Sequence, residues 1–117
     1  MKAEKIASRV CDAVLEKKGF EILLMDLTEP SPVTDFFVIT SATTDVHAKA
    51  IADHVVKVLA SRGVQKWQME GYPLGHWILI DYVDVVVHIF LEETRRYYGL
   101  ERLWGDAPTT RIDEIEI

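Results

Sequence analysis

The stretch Trp77-Ile78-Leu79-Ile80-Asp81-Tyr82-Val83-Asp84-Val85-Val86-Val87-His88-Ile89-Phe90 decides the fold. It holds two runs rich in β-branched and aromatic residues, Trp77 to Asp81 and Asp84 to Phe90, separated only by Tyr82-Val83. Runs of this length and composition read as strands, and so short a link makes them an antiparallel hairpin. Both are almost continuously apolar, which implies that both faces of the sheet are covered.

Upstream, Gly71-Tyr72-Pro73-Leu74-Gly75 is turn chemistry, and Val64 to Glu70 reads as a short strand before it. Thr43, Thr44 and Asp45 can each accept an N-terminal amide bond, so a helix begins there. Its apolar face is Ala48, Ile51, Ala52, Val55, Val58 and Leu59, and Arg62-Gly63 closes it. Phe20 to Leu27 and Asp35 to Ser41 read as two further strands, with the loop Thr28-Glu29-Pro30-Ser31-Pro32 between them. Ala3, Ile6, Ala7, Val10, Ala13 and Val14 form the stripe of a first helix, with Lys17, Lys18 and Gly19 at its C-terminal end. Downstream, Glu92 to Leu103 reads as one helix, acidic first and basic after, as the macrodipole prefers. The expected order is α-β-β-α-β-β-β-α: a single α/β domain over residues 1–104, with a mixed sheet of about five strands and helices packed on it. Residues 105–117 carry a proline and four acids against one arginine, and read as an acidic, mobile tail.

Composition narrows the function. The chain has 117 residues, of which 49 % are hydrophobic and 27 % charged, and Pro plus Gly amount to ten. That excludes a disordered or low-complexity protein, and the length suits one self-sufficient core. The mean hydropathy of +0.06 is high for a small soluble domain, so part of the apolar surface is expected to meet a partner. The net charge of −6 argues against nucleic acid as the main ligand and favours a basic protein partner. A single cysteine, Cys11, excludes internal disulfides and Cys-rich zinc sites and fits a reducing compartment. The N-terminus is charged where a signal peptide needs an apolar stretch, and no run approaches the roughly 20 apolar residues of a membrane span. A cytoplasmic protein is expected.

Active-site signatures are mostly missing. There is no glycine-rich phosphate loop and no nucleophile elbow around Ser8, Ser31, Ser41 or Ser61. Asp81 and Asp84 could be metal carboxylates, but a polar hairpin turn explains them more simply. His47, His54, His76 and His88 lack i, i+4 ligand spacing. His88, alone in an apolar strand, reads as a hydrogen-bonded core or interface histidine. What stands out is an aromatic concentration: Trp77, Tyr82, Phe90, Tyr97, Tyr98 and Trp104, interleaved with Arg95, Arg96 and Arg102. Core packing accounts for some of them. Trp, Tyr and Arg also anchor protein interfaces, which is the better reading of the set.

Several pieces of the chain, in order, resemble the ribosomal silencing factor, or Iojap-related, family. They are Thr34-Asp35-Phe36-Phe37-Val38-Ile39, Ala48-Lys49-Ala50-Ile51-Ala52-Asp53, Glu70-Gly71, Trp77 to Tyr82, Asp84 to His88, and Arg95-Arg96-Tyr97-Tyr98-Gly99-Leu100-Glu101-Arg102-Leu103-Trp104. The resemblance runs from about Ile6 to Trp104. It implies a nucleotidyltransferase-like fold without catalytic residues, no enzyme activity, no cofactor and no metal. It also implies binding to protein fourteen of the large ribosomal subunit, a steric block to subunit joining, repression of translation, and a homodimer when free. The expected partner-contacting residues are Trp77, Asp81, Tyr82, His88, Tyr97 and Tyr98, with Trp77 and Tyr98 as anchors. Neither direct DNA binding nor a membrane is expected. The competing readings are a metal-dependent nucleotide-binding or nucleotidyltransferase-like enzyme, and a homodimer-forming module with an unrelated partner. Two departures are visible: Val83 stands where the family usually has glycine, so a turn that needs a positive φ would be strained there, and the tail after Trp104 is longer than many members need.

Overall fold

A computed structural model describes residues 1–29 and 34–113. The elements are α1 (Ala3–Glu16), β1 (Phe20–Asp26), β2 (Phe36–Ala42), α2 (Asp45–Ser61), β3 (Gln68–Glu70), β4 (Trp77–Asp81), β5 (Val85–Leu91), α3 (Glu92–Tyr98), α4 (Leu100–Leu103) and β6 (Thr109–Arg111). They form one six-stranded sheet in the order β3-β4-β5-β2-β1-β6. The central pair β2–β5 is parallel and every other pair is antiparallel. The mixed α/β architecture agrees with the sequence reading, and the helix α2 lies on the long connection that the parallel pair requires.

Side-chain parity divides the sheet into two faces. Val38, Ile78, Ile80, Val85, Val87 and Ile89 point to one face, where Ile6, Val10, Val14, Ile51, Val55 and Leu59 of α1 and α2 bury them. The opposite face has a smaller core of Met25, Leu27, Ile39, Phe90 and Ala107, with Phe37, Trp77, Leu100 and Trp104 against it. That core covers the β1–β2 side. Tyr98 of α3 and Leu100 of α4 approach this face at Trp77 and the smaller core, and β4 alternates between buried and half-buried residues.

Three expectations are corrected. The sheet has a sixth strand: residues 109–111 of the expected mobile tail pair with β1 at Leu23, Leu24 and Met25. The Asp113 carboxylate then accepts from the Glu21 and Ile22 amides at 2.7 and 2.9 Å, at the irregularity in β1 where Glu21 has φ 48°. An exposed strand held by backbone bonds carries no hydrophobic period to reveal it. The remainder of the tail, residues 114–117, lies outside the described residues. Second, the expected single helix from Glu92 to Leu103 is two, because Gly99 adopts the left-handed conformation that ends a helix. Third, the strand expected from Val64 begins only at Gln68.

Candidate partner-binding surface

The surface grows from the β4–β5 hairpin. Trp77, Leu79 and Asp81 of β4 and Val86, His88 and Phe90 of β5 share the face opposite α1 and α2, with Leu79 opposite His88 and Trp77 opposite Phe90. Trp77 is half-buried. Its ring lies 4.8 Å from Phe90 and 4.9 Å from Tyr98, centre to centre. Its Nε1 donates to His88 Nδ1 at 3.1 Å. The position of Trp77 is fixed by the turn before it: at Gly71 (φ 80°) an added Cβ would fall 2.0 Å from the Trp77 carbonyl oxygen, so only glycine lets the chain return onto β4.

Tyr97 and Tyr98 stand on α3 beside Trp77, 81 % and 54 % exposed, and meet edge to face at 5.0 Å. Leu74, His76, Glu93 and Thr94 complete a cleft of about 510 Å³ around them. The aromatic tips are thus presented outward while Trp77 backs them from the sheet. Of the six expected contact residues, Trp77, Tyr97 and Tyr98 converge here, and Asp81 and His88 lie further along the same sheet face.

Tyr82 does not join them, which corrects the sequence expectation. It continues the parity of Ile78 and Ile80, is 6 % exposed, and packs into the larger core under the helices. Burial pushes its phenol up to about 12. Arg95 also turns inward. It donates from Nη1 to the Glu21 carbonyl and Ser41 Oγ, both at 2.8 Å, and from Nε to Glu101 at 3.1 Å. It positions α3 and presents no surface. Sequence reasoning missed Phe37 and Glu70, which the β2–β5 and β3–β4 pairings bring to this face, and Thr34 and Trp67, which line a hollow with Asp81 and Val86.

His88 is 3 % exposed. Burial pushes its imidazole down to about 4, so the ring is neutral near pH 7. Asp81 Oδ1 accepts the Val83 amide at 2.7 Å, and the Asp84 amide donates to the Tyr82 carbonyl at 2.9 Å. Asp81 and Asp84 are therefore turn residues. No group of three or more His, Cys, Asp or Glu able to hold a metal occurs among the described residues. No helix among them is long and apolar enough to cross a membrane.

A family model described as "Ribosomal silencing factor during starvation" matches residues 1–117. The chain belongs to this family, RsfS. It is 40 % identical to the ribosomal silencing factor of Bacillus subtilis over 93 % of this chain and 90 % of the relative. It is 36 % identical to that of Halalkalibacterium halodurans over 98 % of both. A crystal structure of a Chromobacterium violaceum protein superposes with a TM-score of 0.88 at 28 % identity, covering 100 % of this chain and 94 % of that one. The name ribosomal silencing factor is that of a regulator associated with the ribosome, not of an enzyme.

Proposed function

We propose that this chain binds the large ribosomal subunit through protein fourteen, on the surface that meets the small subunit, and represses translation by sterically blocking subunit joining. Trp77, Tyr97 and Tyr98 would form the contact, with Asp81 and His88 along the adjoining sheet. The observation that carries this reading is the exposed Tyr97–Tyr98 pair seated on Trp77 in a chain of net charge −6. Aromatic anchors supply contact energy at low entropic cost, and negative charge steers the domain toward a basic ribosomal protein and away from exposed RNA. No chemistry is required: a domain with a radius of gyration of 13.0 Å need only occupy a bridge surface. The free protein, in the cytoplasm, would be a homodimer.

The test is a sucrose gradient of separated subunits with and without the protein. The joined fraction should fall as protein is added, with no nucleotide consumed. An unchanged profile at saturating protein would overturn the reading.

A further inference from the structure

The sheet face opposite α1 and α2 holds a second cavity, of about 260 Å³, away from the aromatic cleft. Its walls are apolar, made by Phe37, Leu79, Val86 and Trp104. His88 and Thr34 are among its lining residues, and His88 Nε2 and Thr34 Oγ1 are buried without a hydrogen-bond partner among the described residues. The role of the first is fixed. An indole N–H only donates, so His88 Nδ1 accepts from Trp77 and the ring proton sits on Nε2. A buried donor left unmatched destabilises the fold. The bond to Trp77 alone does not require a histidine, since an amide oxygen could accept it.

Glu70 and Asp81 also line this cavity, and neither has an ion-pair partner among the described residues. An anion is therefore repelled from it, while a neutral acceptor accompanied by a cation is welcomed. We propose that the cavity receives a carbonyl oxygen from a loop of a basic protein, bonded to His88 Nε2–H, with a lysine or arginine of that loop beside Glu70 and Asp81. The inference rests on the ribosomal-protein reading above and names what that partner must offer here. It makes His88 a donor that a partner satisfies.

Two substitutions separate the ring's two nitrogens. His88→Asn places an amide oxygen near Nδ1, keeps the Trp77 bond and removes the outer donor. His88→Gln places an amide N–H near Nε2. In co-sedimentation with purified large subunits, His88→Asn should bind about tenfold more weakly, and His88→Gln within about threefold of the wild type. The double variant Glu70→Gln/Asp81→Asn should flatten the dependence of affinity on salt. Wild-type affinity for His88→Asn, or equal loss in both histidine variants, overturns the proposal. So does a shift in self-association with subunit binding intact, which would assign the cavity to a second copy. If His88→Asn does not fold, Thr34→Val and the rim variant decide: unchanged affinity in both overturns it. A wild-type protein that does not sediment with large subunits instead overturns the ribosome reading itself.

Discussion

Trp77 Nε1 donates to His88 Nδ1 at 3.1 Å, a diagonal bond from the head of β4 to the middle of β5. It ties the aromatic cleft to the second cavity and uses the inner nitrogen of the imidazole as an acceptor, while burial keeps the ring neutral. Protonation of His88 would break that bond and place a charge in a buried site.

Acid stability should report this. The imidazole has a pKa of about 4 in the folded chain, against 6.5 ordinarily. Between those values the unfolded chain binds the proton and the folded chain does not. The contribution is therefore fully present above about pH 6.5 and is lost as pH falls toward 4, with an upper bound of roughly 3 kcal/mol. Thermal melts from pH 7 to 4.5 should drop more steeply for the wild type than for His88→Asn. Equal slopes would place the acid-labile group elsewhere.

A second prediction concerns the hairpin turn. Val83 has φ 73°, and Asp84 donates back to Tyr82, the arrangement of a strained γ-turn. Such a conformation costs a β-branched residue about 1–3 kcal/mol, and glycine's extra unfolded-state entropy offsets about 0.5–1. Val83→Gly should stabilise the protein by about 1 kcal/mol and raise the melting midpoint by about 4 °C. An unchanged or lower midpoint would mean that the exposed valine relaxes the turn by other contacts.

The hairpin was legible because its period and its link are both local. The same parity separates Trp77, Leu79 and Asp81 from Ile78, Ile80 and Tyr82, and read strictly it would have removed Tyr82 from the contact surface. Gly99 likewise carried the signal for the break between α3 and α4. The strand β6 gave no signal, because Thr109, Thr110 and Arg111 are all exposed and pair through backbone. The cavity could not be read either: Thr34, Phe37, Glu70 and His88 come together only through pairing between distant strands. Residue type marked the aromatic anchors, but only geometry showed that Arg95 points inward.

The aromatic contact can be tested at its exposed members. Tyr98 is 54 % exposed, so Tyr98→Ala should leave the melt within a few degrees while weakening large-subunit binding by about thirtyfold, the effect of a 2 kcal/mol hot spot. Trp77 serves both packing and contact. Trp77→Phe keeps a ring but leaves His88 Nδ1 unpaired, and should cost about 1–2 kcal/mol of stability by denaturant titration. Normal subunit binding by Tyr98→Ala would move the contact off α3.

The sixth strand has its own test. Asp113 accepts from the Glu21 and Ile22 amides and from Arg111 Nε at 3.0 Å. Those bonds hold its carboxyl below the ordinary carboxylate range, although burial opposes them. Its contribution is present above about pH 4 and fades as pH falls below it. Asp113→Ala should therefore cost about 1–2 kcal/mol and speed amide exchange at Leu23 and Met25. Unchanged exchange at those positions would show that β6 pairs without its anchor.

The last prediction concerns Arg95, which sets where α3 lies and so where Tyr98 meets Trp77. It is 6 % exposed and bridges β1, β2 and α4 through Glu21, Ser41 and Glu101. Removing one partner of a buried pair costs about 3–5 kcal/mol, and the low end applies because the Glu101 side chain is 29 % exposed. Arg95→Ala should therefore lose about 3 kcal/mol. Lysine keeps the charge but lacks the planar fork, so Arg95→Lys should recover only part of that loss. Arg95→Met/Glu101→Leu removes both charges together and should be more stable than Arg95→Ala, while the ring current of Trp77 on Tyr98 reports by NMR whether α3 has shifted. If Arg95→Lys melts like the wild type, the fork is unnecessary and α3 is held by packing alone.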